Sequence, residues 1–78
     1  MARVRLFAQA REAAGTSRAQ VEGATVGEVL DAAAAKWGDE FRSVLGRCAV
    51  WVNGEPADRE APVDPDDELA VLPPVSGG

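Results

Sequence analysis

The chain has 78 residues, 13 acidic against 8 basic side chains, a net charge of −5, no His and one Cys. One domain is the expectation at this length, with a thin core, because so short a chain buries only about 60–65% of the surface its unfolded form exposes. Without imidazole there is no His metal ligand and no Ser-His or Cys-His dyad. One thiol excludes an internal disulfide, a CxxC pair and a cysteine-built zinc cluster, and an unstapled small chain points to the reducing cytoplasm. The acidic balance argues against nucleic acid and against an anionic membrane surface. No apolar run approaches the ~20 residues of a membrane span. Arg3 and Arg5 are not followed by the apolar stretch of a signal peptide.

Residues 3–8 alternate with period two, Val4, Leu6 and Ala8 on one face and Arg3, Arg5 and Phe7 on the other, which predicts a strand. Residues 9–14 suit a turn or two of helix stopped by Gly15. Residues 17–22 form a weaker strand with Ala19 and Val21 on one face, and the short link predicts an antiparallel pair with the first.

Thr25-Val26-Gly27-Glu28 has the form of a capping box, the hydroxyl accepting from the Glu28 amide and the carboxylate reaching back to the Thr25 amide. Behind it Val26, Val29, Leu30, Ala33, Ala34 and Trp37 share one helical face, which makes Trp37 a core residue. Gly38 ends this helix. Phe41, Val44 and Leu45 predict a second short one, closed by Gly46.

Residues 47–53 predict a third strand, with Cys48, Val50 and Val52 facing one way and Trp51 the other. Cys48 thereby reads as a small buried hydrophobe. Asn53-Gly54 is a turn signal, and a brief strand over 55–58 follows. Asp64, Asp66, Asp67 and Glu68, interrupted by Pro65, read as a solvated acidic turn and not a metal loop. Residues 68–72 are the last strand, with Leu69 and Val71 inward, and Pro73-Pro74 ends it because neither residue can donate to a ladder.

The pattern β-β-α-β-β with one long helix predicts an α+β fold of the β-grasp, ubiquitin-like kind. Four to five strands would form a mixed sheet on one main helix. Residues 1–72 would form the domain and residues 73–78 an extended, flexible Gly-Gly tail. The six residues Pro73, Pro74, Val75, Ser76, Gly77 and Gly78 have little to pack with, and extended they reach roughly 20 Å. Two prolines stiffen the exit. Glycines lack Cβ and suit a narrow tunnel. The chemistry at the end of such an arm belongs to the Gly78 carboxylate. It is a poor electrophile until ATP adenylates it, and as the acyl-adenylate it is open to sulfur or amine attack.

Val4-Arg5-Leu6-Phe7-Ala8-Gln9 with Arg11-Glu12 and Gly15, the strand and turn Val52-Asn53-Gly54, and the ending Leu72-Pro73-Pro74-Val75-Ser76-Gly77-Gly78 together resemble the MoaD family. This is the family of the small, sulfur-carrying subunit of molybdopterin synthase, close to the thiamine carrier ThiS. The resemblance implies a carrier that binds no metal and no cofactor of its own. A ubiquitin-activating-like adenylyltransferase (MoeB-like) would activate Gly78 with ATP. Sulfur would then give a thiocarboxylate, and the tail (Pro73, Pro74, Val75, Ser76, Gly77) would thread into a MoaE-like large subunit. There it would donate sulfur to a cyclic pyranopterin phosphate. The catalytic acids and bases would belong to the partners. Sulfur carriage in thiamine or cysteine synthesis, and ubiquitin-like protein modification, are the alternatives.

Phe7, Trp51 and Leu72 lie opposite the inward residues of their strands, on the sheet face away from the helix. Large apolar residues converging beside the tail exit mark a partner surface. The resemblance supports Phe7 and Leu72 in the large-subunit interface, while Trp51 follows from parity alone. Arg11 matches the family's opening motif, as a surface ion pair or a partner contact.

Overall fold

In the computed structural model, which describes residues 1–74, strand β1 (Ala2–Leu6) buries Ala2, Val4 and Leu6 and turns Arg3 and Arg5 to the other face. The expected strand over 3–8 stops two residues early. The Phe7 carbonyl accepts from the amides of Ala10 (3.0 Å) and Arg11 (3.3 Å), which starts helix α1 (Ala8–Ala14). Ala8 turns the chain with φ 49° and is exposed, so it is not an inward strand residue. Gly15 closes α1 in the left-handed region, φ 78°, where a Cβ is disfavoured.

Strand β2 (Arg18–Val21) runs antiparallel to β1, with Ala2 opposite Val21 and Arg5 opposite Arg18. Helix α2 (Val26–Trp37) follows and buries Val26, Gly27, Val29, Leu30, Ala33 and Ala34. The Thr25 hydroxyl accepts from the Glu28 amide at 3.2 Å. The Glu28 carboxylate reaches one residue further than expected and accepts from the Ala24 amide at 2.9 Å. Trp37 is half-buried at the rim of the core, where its ring meets Phe41 edge-on at 4.9 Å. Phe41, on helix α3 (Asp39–Leu45), is the largest fully enclosed side chain.

Strand β3 (Ala49–Val52) is shorter than expected, because the amides of Arg47 and Cys48 still bond the carbonyls of Val44 and Leu45 after α3. Strand β4 (Glu55–Pro56) has two residues; Pro56 lacks a donor, and the amide of Ala57 makes the last bond to Val50 at 3.0 Å. The loop after it returns to α2 and caps its first turn. Val26 and Gly27 donate to the carbonyls of Ala61 (3.0 Å) and Arg59 (2.9 Å).

Strand β5 (Glu68–Leu72) completes a five-stranded mixed sheet of order β2-β1-β5-β3-β4. It is parallel to β1, with Leu6 beside Val71, and antiparallel to β3, with Ala49 beside Leu72. The last strand in sequence is thus the central strand in space. The core lies between one sheet face and the helices, with Val4, Leu6, Leu69 and Val71 against Val29, Leu30, Ala33 and Phe41. This is the expected β-grasp arrangement.

Candidate functional site

The site is the sheet face turned away from α2, at the end where β5 releases the chain. Strand periodicity puts Leu72, Ala70 and Glu68 of β5 there, Arg3 and Arg5 of β1, and Ala49 and Trp51 of β3. Phe7 continues the outward parity of β1 because its own backbone is still extended, φ −126° and ψ 150°. Carried one step beyond the Leu6–Val71 pair, the register sets Phe7 beside Leu72. Leu72 in turn pairs with Ala49, and Ala70 pairs with Trp51. Phe7 and Trp51 are 37% and 36% exposed, large apolar side chains left open on a face that no helix covers. Leu72 is half-buried between them.

The structure therefore sets Phe7 beside Leu72 and places Trp51 on the adjacent strand β3, diagonal to Leu72. Arg11 stands apart from the sheet, exposed on α1, its amide bonded to the Phe7 carbonyl. Pro73 is half-buried and Pro74 exposed as the chain leaves β5. Val75, Ser76, Gly77 and Gly78 lie outside the described residues.

Cys48 precedes β3 on the wall of an open cleft of about 690 Å³, shared with Leu30, Leu45 and Val50. Its Sγ contacts the Val44 carbonyl at 3.3 Å. Burial pushes the thiol above its ordinary value, against the opposing pull of the neighbouring Arg47 guanidinium. A protonated, half-buried thiol is a poor nucleophile, in keeping with a packing role.

In the acidic turn the Asp67 carboxylate is held by hydrogen bonds. Asp67 accepts from the Asp64 amide and from Asn53 Nδ2, both at 2.8 Å. These two bonds, the first the stronger, hold its carboxyl below the usual carboxylate range. Asn53 also accepts from the Glu68 amide at 3.0 Å through Oδ1. The sequence marks Asn53 only as a turn residue. Its side chain also fastens the start of the strand that carries the tail, and nothing in local spacing signals that.

Residues 4–78 match the ThiS family. The chain belongs to that family of ubiquitin-like sulfur carriers. Among solved structures it is similar to SAMP1 from Haloferax volcanii, at 36% identity over 99% of this chain and 98% of that one, with a TM-score of 0.84. It is also similar to small archaeal modifier protein 1 from Methanosarcina acetivorans, at 30% identity over 99% and 95%, TM-score 0.88. A third similar structure is a complex of subunits 1 and 2 of the molybdopterin-converting factor from Helicobacter pylori. It is 26% identical over 99% of this chain and 97% of that one, with a TM-score of 0.72.

Proposed function

We propose that this ThiS-family chain is the small subunit of a molybdopterin synthase, with Gly78 as the carrier of sulfur. A MoeB-like adenylyltransferase joins the Gly78 carboxylate to AMP with release of pyrophosphate. A sulfur nucleophile then displaces AMP, leaving a thiocarboxylate in which sulfur has replaced one oxygen. The tail, Pro73 to Gly77, carries that sulfur into a MoaE-like large subunit, which supplies the acids and bases. The acceptor is a cyclic pyranopterin phosphate. This chain contributes docking and delivery, with Phe7, Leu72 and Trp51 as anchors and Arg11 as a peripheral contact. ATP is used by the activating enzyme, and no cofactor resides on this chain.

One observation carries the reading. The apolar patch of Phe7 and Leu72 lies where β5 hands over to the Pro-Pro-Val-Ser-Gly-Gly ending, so a partner that grips the patch receives the tail. The similarity to a molybdopterin-converting factor solved as a two-subunit complex supports the choice of pathway.

A second reading, protein modification through Gly78, is favoured by the higher identity to SAMP1. One experiment separates them. The chain is incubated with ATP, the cognate activating enzyme and a sulfur donor, and its intact mass is followed. A gain equal to sulfur minus oxygen, lost again when the large subunit and the pterin precursor are added, is the expected result. Stable transfer to lysines of other proteins, with no loss of sulfur to the pterin, would favour modification.

A further inference from the structure

The two edges of the sheet are unlike. β4 closes one side with two residues, one of them Pro56, which offers no amide. β2 closes the other with four residues and no proline. The Leu6 amide donates to the Ser17 carbonyl at 3.0 Å, so the backbone groups of Ser17, Ala19 and Val21 face β1. Those of Arg18, Gln20 and Glu22 face outward. The Arg18 groups bear this out. The Thr16 hydroxyl accepts from the Arg18 amide at 3.3 Å and donates to the Arg18 carbonyl at 2.9 Å. Among the described residues no side chain does the same for Gln20 or Glu22.

The segment Arg18-Ala19-Gln20-Val21-Glu22 is complementary to its own reverse. Two identical antiparallel strands are related by an axis that sets one residue against itself. With that axis at Gln20, Gln20 meets Gln20, Ala19 meets Val21 and Arg18 meets Glu22 of a second copy. An axis at Ala19 or Val21 instead opposes Gln20 to Arg18 or to Glu22 and matches no opposite charges. Within one chain the charges lack such partners. Arg18 lies opposite Arg5, and like charges directly opposite weaken an antiparallel pair. Arg18 and Glu22 are both exposed, and among the described residues neither has an opposite charge within 4.0 Å. Ala19, only half-buried on the helix side, would be covered by Val21 of the second copy.

We propose that β2 pairs antiparallel with β2 of a second copy of this chain, in the register that sets Arg18 against Glu22 about a Gln20–Gln20 centre. Gln20 exchanges both backbone bonds with its counterpart, and Arg18 does so with Glu22, for about six bonds in all. The Thr16 hydroxyl turns away and yields the Arg18 groups to the incoming strand. The two sheets become one, with five strands from each copy. The axis is perpendicular to the sheet, so both open faces look the same way and both Phe7–Leu72 patches stay uncovered. The two copies of β5 run in opposite directions, and their tails leave from opposite ends. Pairing therefore leaves the docking face open and does not depend on the sulfur-carrier reading. A strand pair alone covers less than the ~1,200 Å² of a stable interface, so the dimer is weak, with a dissociation constant of about 0.1–1 mM.

The test uses the full chain in sedimentation velocity, from about 10 µM to about 2 mM at low salt, a range that brackets the expected constant. Thermal midpoints are measured beside it. The wild type should pass from monomer to dimer across this range, and its Gln20 amide should exchange more slowly at the high end. Arg18→Glu opposes two carboxylates across the axis, and Glu22→Arg opposes two guanidinium groups. Each should weaken self-association about tenfold. Arg18→Glu also relieves the opposition to Arg5, so its thermal midpoint should not fall. The two changes together restore opposite charges and should restore the dimer. An equimolar mixture of the two single variants should dimerise where neither does alone, a result that no effect within one chain can produce.

A wild type that stays monomeric throughout overturns the proposal. A dimer untouched by both single changes places the contact elsewhere and overturns it too. Single variants that are not rescued by the double change or by mixing overturn the register. Loss of the dimer in Phe7→Ala, with the charge changes silent, would assign self-association to the apolar patch and equally overturn it.

Discussion

Gly27 and Arg59, on α2 and on the loop after β4, hold each other through backbone and side chain together. The Gly27 amide donates to the Arg59 carbonyl at 2.9 Å, and the Arg59 guanidinium returns to the helix to meet Asp31 Oδ1 at 2.7 Å. A Cβ on Gly27 would stand 3.2 Å from that carbonyl and 3.3 Å from Arg59 Nε. Alanine is the better helix former by about 1 kcal/mol. Here the loop can give way only by loosening the bond that caps the helix. Gly27→Ala is therefore expected to lower stability by about 1 kcal/mol in urea titration, where propensity alone predicts a gain. Asp31→Ala removes only an exposed ion pair and should cost less than about 1 kcal/mol.

A sharper version lies at Gly23. It holds φ 155°, and a Cβ there would meet the Val29 amide nitrogen at 2.5 Å. Gly23→Ala should cost roughly 1–3 kcal/mol or more, because the obstruction includes the helix backbone of Glu28 and Val29, which cannot swing aside as a side chain can. A thermal midpoint equal to wild type would show that the Gly23 turn can rebuild.

Asn53 joins the hairpin to the start of β5. It sits at φ 51° and bonds Asp67 and Glu68 through its amide group. Asn53→Ala loses both side-chain bonds and puts an alanine in the left-handed region, at an expected cost of about 1–2 kcal/mol. Asn53→Gly keeps the turn and loses only the bonds, so it should fall between the two.

Asp67 sets a pH dependence. Its folded-state value lies below the ordinary 3.8. A carboxylate with a depressed value adds stability that is fully present above the ordinary value and disappears as pH falls through the depressed one. Replacing Asp67 with Asn removes that contribution. The wild-type advantage over Asp67→Asn should thus be constant near neutrality and shrink as the medium is acidified below the ordinary value. An advantage that stays constant down to strong acid would contradict the assignment.

The patch and the core should separate in paired measurements. Phe7→Ala and Leu72→Ala remove anchors from an uncovered face, and each should weaken partner binding about tenfold. Leu30→Ala and Phe41→Ala empty the interior and should cost roughly 2–5 kcal/mol of stability. If Phe7→Ala unfolds the chain as readily as Leu30→Ala, the patch belongs to the core.

Replacing Pro73 and Pro74 with Gly tests the stiffness of the exit. A looser arm loses more freedom on entering a tunnel, so affinity for the partner should fall while the thermal midpoint stays nearly constant. The reverse pattern would make the prolines part of the fold.

Much of this was legible from spacing alone. One buried face forces period two on β1, β3 and β5, so the inward set Val4, Leu6, Val50, Leu69 and Val71 and the outward set Phe7, Trp51 and Leu72 could both be read without coordinates. The apolar stripe of α2 was equally plain. Strand order was not, because a strand carries its faces in its sequence but not its neighbours. The Arg5–Arg18 opposition needs a register, and the helix between β1 and β2 removes the tight turn that would have fixed one. The early end of β1 at Ala8 hinges on a positive φ in a residue type that does not advertise it. The grip of Asn53 on Asp67 spans fourteen residues and leaves no local trace.

The central place of β5 bears on how the domain withstands force. A partner that draws on the tail pulls along the axis of a strand bonded on both sides, to β1 in parallel and to β3 in antiparallel pairing. With the domain braced against the partner, such a pull loads both ladders in shear, so many hydrogen bonds must stretch together. A strand at the sheet edge, drawn sideways, would open one bond at a time. Tension on Pro73 and Pro74 is thereby passed to the most widely shared strand of the sheet, and the domain can serve as a rigid handle for its own extremity.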